Sequence, residues 1–221
     1  TVNTRINAAR TSLSSKVISQ YAELFAPFIE SSGIRAFIGV MVNDVNLDAL
    51  ASGQTIFDGA VRTQQLSQAS GLAERWHGRS GGRIQAVMAA NGLSMSSPSL
   101  LKGLRAAADD LGLRVSIHLG FGERELVESV HHRAQFDYAT DCGMLGTDVI
   151  AVHCYDVDEV EIDMLAKCVT NGVLSITETP NYANADETFF ARKRSWIFMR
   201  SSTVEEARQG MSLAKQWVDF L

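Results

Sequence analysis

A chain of 221 residues, 46% hydrophobic and 20% charged with three prolines, is long enough to bury a sizeable core without disulfide or metal staples, and its composition excludes disorder. The formal net charge of -5 gives no electrostatic reason to expect a nucleic acid or an anionic membrane as partner, since both attract clustered Lys and Arg. No apolar run approaches the roughly 20 residues that a membrane-spanning helix needs.

In chain order, an amphipathic helix over 13–31 precedes a strand over 34–42. A helix over 57–76 leads to a strand over 83–90, and a helix over 99–111 leads to a strand over 114–119. Pro98 suits the first turn of that third helix, with Ser97 or Ser96 as its cap and Gly112 as its stop. Residues 123–142 read as one helix or two, followed by a strand over 149–153. A helix over 158–170, stopped by Asn171-Gly172, then precedes a strand over 173–177. Beyond Pro180 the alternation weakens: 181–186 is a polar loop, while 187–200 and 204–221 read as helical.

Short apolar runs alternating with amphipathic stretches predict an α/β fold with a parallel sheet, in one domain spanning 1–221. Five strands do not close an eight-stranded barrel, so either the sheet is open or the chain lacks barrel elements at both ends. Cys142, Cys154 and Cys168 have neither an even count nor CxxC spacing, which disfavours disulfides and a thiolate zinc site. With a polar opening over 1–10 that does not read as a secretory signal, a cytoplasmic location is expected.

In parallel α/β folds, ligands bind at the C-terminal ends of the strands. Arg114-Val-Ser-Ile-His118 and Val149-Ile-Ala-Val-His153 both place an imidazole there. Each alone could serve a loop carbonyl, but neighbouring strands would bring the pair within reach of one divalent ion: zinc first, iron or nickel next. Two histidines fall short of the three protein ligands usual at a catalytic zinc.

The stretch from His118-Leu-Gly-Phe-Gly-Glu, through Asp137-Tyr-Ala-Thr-Asp-Cys-Gly-Met-Leu-Gly and Val-Ile-Ala-Val-His153-Cys, to Asp158-Glu-Val-Glu-Ile resembles the fifth and sixth strand region of the amidohydrolases. It is most similar to their cytosine deaminase and atrazine chlorohydrolase branch. Gly33-Ile-Arg-Ala-Phe-Ile-Gly39 and Gly82-Arg-Ile-Gln-Ala-Val-Met-Ala-Ala resemble that family's third and fourth strands, so the likeness covers 32–177 in strand order. The resemblance implies a parallel β/α (TIM-type) barrel, here partial, with His118 and His153 as metal ligands. It also implies a hydrolase that uses metal-activated water to deaminate or dechlorinate a small nitrogen heterocycle.

Two departures qualify that implication. The branch commonly has a proton-shuttling Glu three residues after the strand-five His, where this chain has Phe121, which carries no proton. Glu123 or Glu125 could substitute through a bulged loop, but both read first as solvated acids of a helix's first turn, and the catalytic group stays unassigned. The sequence also contains no His-x-His, and Asp186 matches the family's strand-eight acid no better than it matches a helix cap. His131 and His132 read as surface residues, His77 as a loop residue, Gly120-Phe-Gly122 as a flexible loop, and Cys154 and the tryptophans as packing residues.

Three readings therefore stand: a metal-dependent amidohydrolase, a catalytically silent or truncated relative, and an unrelated α/β protein that binds a metabolite at its strand ends. Missing barrel strands would expose apolar edges, which predicts association with another chain, a homo-oligomer included.

Overall fold

The computed structural model describes residues 22–154, 156–169, 173–177 and 196–199, with single positions 205, 208 and 209. The chain divides into two compact units, Thr1–Ser116 and Ile117–Leu221, and β4 (Arg114–Leu119) contributes residues to both. Of the expected opening helix, residues 22–32 are helical (α1) and 13–21 lie outside the described residues.

In the first unit, the strand expected over 34–42 is formed as β1 (Ala36–Ile38) and β2 (Met41–Val42). Both lie parallel to β3 (Ile84–Ala90), and the register holds across the gap, with Ala36 opposite Ile84 and Met41 opposite Ala89. The gap falls at Gly39, where a Cβ would stand 2.7 Å from the Val87 carbonyl oxygen and 2.8 Å from its Cγ2. The glycine lets the backbones approach closely. β3 is an almost continuous apolar run, with Ile84, Ala86, Met88 and Ala90 buried on one face and Val87 on the other, as a parallel strand covered on both faces requires.

Between these strands lie α2 (Leu47–Ala51), α3 (Gly59–Trp76) and the short α4 (Arg79–Gly82). The sequence places the start of α3 at Phe57; it starts at Gly59 because the Asp58 carboxylate accepts from the amides of Ala60 (2.8 Å) and Val61 (3.2 Å). α5 (Pro98–Leu111) has the expected ends, with Ser97 Oγ accepting from the Leu100 amide at 3.1 Å and Gly112 in the left-handed conformation. Its Leu100, Leu101 and Leu104 are fully buried, each contributing about 1.5–3 kcal/mol of hydrophobic stabilisation. The fully enclosed Asp44 fastens this unit: its carboxylate accepts from the Ser97 amide (2.8 Å), Ser97 Oγ (2.5 Å) and Arg62 Nη1 (3.3 Å).

In the second unit the strand order is β4, β5 (Val149–His153), β6 (Val173–Thr177), β7 (Trp196–Met199). β5 and β6 are parallel, with His153 opposite Ile176. The 123–142 segment is two helices, α6 (Arg124–His131) and α7 (Gln135–Asp141), separated where His132 turns left-handed at φ 53°. α8 (Glu159–Val169) opens with a reciprocal cap: the Glu161 amide donates to Asp158 Oδ1 and the Asp158 amide to Glu161 Oε2, both at 2.9 Å.

One expectation is overturned here. Residues 196–199 are a strand antiparallel to β6, Leu174 opposite Met199 and Thr177 opposite Trp196, where the sequence reads as helix. The run Trp-Ile-Phe-Met is rich in strand-favouring side chains, and the free edge of β6 offers it a hydrogen-bonding partner that periodicity does not reveal. The rest of 187–200, the 181–186 loop with Asp186, and the final helix apart from helical positions 205, 208 and 209 lie outside the described residues.

Candidate metal centre

Along β4, Val115, Ile117 and Leu119 are fully buried, while Arg114, Ser116 and His118 alternate onto the other face. β5 buries Val149 and Ala151 and ends in His153. The two imidazoles meet edge to face, centroids 4.6 Å apart and planes at 81°. Phe121 closes a triangle of rings, 6.0 Å from His118 and 5.3 Å from His153.

The backbone that presents His153 is strained. His153 (φ 79°) and Cys154 (φ 53°) are consecutive left-handed residues, a conformation that costs a residue with a Cβ about 1–2 kcal/mol. Two backbone bonds hold it: the Cys154 amide donates to the Leu119 carbonyl (2.8 Å) and the Asp156 amide to the Gly120 carbonyl (2.9 Å). Gly120 and Gly122 are left-handed too, at φ 58° and 91°. Gly120 has no slack, since a Cβ there would meet Val157 Cγ1 at 3.0 Å and Asp156 O at 3.2 Å. The loop read as flexible is thus a tight turn that requires glycine.

Burial, and secondarily the neighbouring His153, lower the pKa of His118 to about 4. At neutral pH its imidazole is uncharged and keeps a nitrogen lone pair, the form a divalent ion needs. Two imidazoles at adjacent strand ends therefore fit part of the ligand set of a divalent metal. Among the described residues, no group of three or more His, Cys, Asp or Glu side chains converges as an ion site. Cys154 is fully enclosed, and burial, followed by the charge of Glu161, pushes its thiol pKa far up, as a packing residue should be.

Glu125 is exposed, but Glu123 is not the solvated acid that the sequence suggests: it is 4% exposed. It stands at the N-cap of α6, just after the left-handed Gly120 and Gly122, a backbone path that the helical pattern does not encode. His77 ends α3, where its Nδ1 accepts from the Ala86 amide (3.2 Å). His132 is exposed and His131 stacks on Tyr138 at 3.9 Å. Trp76 packs with its Nε1 donating to Glu23 (2.9 Å). Sequence reasoning passed over Arg124, Gln135 and Glu161, although the Asp158-x-x-Glu161 spacing is a readable capping signal.

A family model described as Amidohydrolase family matches residues 4–194. The chain belongs to the amidohydrolase family. Among relatives of this amidohydrolase, a 5'-deoxyadenosine deaminase of Methanopyrus kandleri is 32% identical over 108 residues, covering 48% of this chain and 25% of the relative. The 5'-deoxyadenosine deaminase of Methanobrevibacter smithii is 26% identical over 149 residues, 66% of this chain and 32% of the relative. Of solved structures, the guanine deaminase of E. coli superposes with a TM-score of 0.58 at 22% identity, covering 69% of this chain and 34% of that one. A mutant atrazine chlorohydrolase from Arthrobacter aurescens, solved with zinc and atraton, gives 0.56 at 14% identity over 66% and 32% of the two chains. These structures share the fold, so the β/α-barrel expectation holds for a chain that spans a quarter to about a third of its relatives' length. Family membership removes the reading as an unrelated metabolite-binding protein.

Proposed function

We propose that this amidohydrolase serves the metal-dependent hydrolysis of an exocyclic C–N bond, water replacing an amino group on a small nitrogen heterocycle and ammonia leaving. The observation that carries the reading is the His118–His153 pair, two imidazoles 4.6 Å apart at adjacent strand ends. His118 and His153 would hold a divalent ion, zinc before iron or nickel. Such an ion supplies Lewis acidity, acidifying water and polarising the bond under attack. The names of the relatives, deaminases of 5'-deoxyadenosine and guanine, support an aminated purine as substrate class. The chain's own contribution is to keep the His118 imidazole neutral, chiefly by burial, and to hold the two rings in one orientation through the Leu119–Cys154 and Gly120–Asp156 backbone bonds.

Phe121 favours a second reading, that of a catalytically silent relative. Its ring occupies the space beside both imidazoles where a carboxylate would be needed to move a proton to departing ammonia. Metal content of the purified full chain, by elemental mass spectrometry, tests the first reading against a His118→Ala/His153→Ala variant. Near-stoichiometric metal that vanishes in the variant, with ammonia release from an aminated purine, supports the hydrolase. Metal without turnover supports the silent relative, and no metal in either protein overturns the ligand assignment.

Among the described residues, Cys142 and Cys154 form no disulfide, which suits the cytoplasm, and no described helix is long and apolar enough to cross a membrane. The exposed Phe37 and Met41 on β1 and β2 support the expectation of a homo-oligomer, which gel filtration would test.

A further inference from the structure

We infer that Gln135, Glu161 and Arg124 are positioning residues for His153, acting through the carbonyl of Asp156; the inference rests on the reading of His118 and His153 as a ligand pair. The residue after each histidine is bonded to the other strand end, Cys154 N to Leu119 O at 2.8 Å, and the next link is Asp156 N to Gly120 O at 2.9 Å. The orientation of the His153 ring therefore follows the backbone at Cys154 and at Asp156, in the turn that leads to Asp158. His153 and Cys154, which lead into that turn, are both left-handed, and the turn needs an outside hold.

The hold comes from three helices. Asp156 O accepts from Gln135 Nε2 on α7 (3.1 Å) and from Arg124 Nη2 on α6 (3.5 Å). Both donors also grip Glu161 on α8: Gln135 Nε2 to Oε1 at 3.2 Å, Arg124 Nη1 to Oε1 at 2.9 Å, and Arg124 Nη2 to Oε2 at 2.6 Å. Glu161 Oε2 accepts as well from the amide of Asp158, the last residue of the turn (2.9 Å). One carboxylate thus fixes the turn at Asp158 directly and at Asp156 through two donors.

Gln135 is fully enclosed and Glu161 is 5% exposed. The Gln135 amide cannot be reversed, because its oxygen would then face the Asp156 carbonyl and the Glu161 carboxylate. Hydrogen bonding to Glu161, ahead of its charge, raises the Arg124 pKa, so the guanidinium stays charged. A charged and amide-bearing cluster is a poor choice for stability alone, since apolar packing of similar volume does as well. It does fix a single geometry, as the groups behind metal-ligating histidines do. Gly120 shows how closely the turn packs on the strand end: Cys154 Cα would lie 3.5 Å, and Asp156 O 3.2 Å, from a Cβ there.

The experiment compares the full metal-free chain with Gln135→Leu and Glu161→Gln, and with Arg133→Ala as control, which removes an exposed ion pair to Asp141 (2.6 Å) in the same unit. NMR reads the nuclear Overhauser contact between the His118 and His153 rings and the hydrogen exchange of the Cys154 and Asp156 amides; chelator competition then reads zinc affinity. In both variants the ring contact weakens and exchange at Cys154 and Asp156 accelerates at least about tenfold, amides within β5 keep their protection, and zinc affinity falls about 10–100-fold. Arg133→Ala changes none of these. An unchanged ring contact with unchanged exchange overturns the inference, and so does an equal loss of protection across the whole unit, which marks a structural role only. If the wild type binds no zinc while the ring contact responds as described, the positioning role stands and the metal reading fails.

Discussion

The Phe121 ring stands edge-on to the His118 imidazole, planes at 82° and centroids 6.0 Å apart, while also lying 5.3 Å from His153. An aromatic ring at that place contributes burial and no counter-charge, so both of the influences acting on His118 favour its neutral form. A carboxylate at position 121 would add a negative charge that opposes both. In the metal-free Phe121→Glu variant, the His118 pKa should rise from about 4 toward the ordinary histidine value of 6.5, read from its ring-proton shifts across a pH series. A pKa that stays near 4 would show that the introduced carboxylate does not reach the imidazoles. If proton transfer is what the wild type lacks, the zinc-loaded variant should also release ammonia faster.

The same depressed pKa makes stability depend on pH in the metal-free chain. The unfolded chain takes up a proton at His118 near the ordinary histidine value of 6.5 and the folded chain only near 4. Between those values the unfolded state binds more protons, so this group's contribution to stability falls as the pH is lowered through the window and levels off below it. Urea midpoints from pH 7.5 to 4 should fall more steeply for the wild type than for His118→Asn; parallel slopes would contradict the assignment.

Asp44 is fully buried and accepts from the Ser97 amide, Ser97 Oγ and Arg62. Asp44→Ala leaves the Ser97 donors unpaired in the interior, and breaking such a cluster costs about 3 kcal/mol. Asp44→Asn retains one acceptor oxygen and should cost about 1–2 kcal/mol. Equilibrium urea unfolding would check the order; equal losses would mean that the carboxylate's charge carries the whole effect.

Gly39→Ala places a methyl group 2.7 Å from the Val87 carbonyl oxygen, with no change in left-handedness to consider. The β1 and β2 segments would have to part from β3, for a loss on the order of 1–3 kcal/mol. Thermal unfolding would show it as a lowered midpoint, and a neutral result would mean that the edge strand shifts freely.

Cys154 is 2% exposed, and burial lifts its thiol pKa well above the ordinary range. It should resist a thiol-specific disulfide reagent at pH 8 in the folded chain and react at the rate of a free cysteine after unfolding. Rapid labelling of Cys154 in the native chain would mean that the turn after His153 opens readily.

Periodicity and punctuation by themselves determined much of this protein. The apolar runs at 83–90, 114–119, 149–153 and 173–177 became β3 to β6 within a residue of their expected bounds, because a covered parallel strand must be apolar along its whole length. Ser97, Pro98 and Gly112 marked the ends of α5 because capping is a local interaction. The two strand-end histidines were legible by position alone, as was the family likeness around them.

Only the tertiary structure decided how those histidines meet and what stands around them. The edge-to-face pair, the Phe121 ring beside it, the burial of Glu123, and the Arg124–Gln135–Glu161 hold on Asp156 join residues far apart in the chain. The strand at 196–199 likewise exists through its pairing with β6. Local pattern reports what a segment can bury or cap by itself. Where two segments come together, the free energy lies in contacts that neither segment's sequence contains.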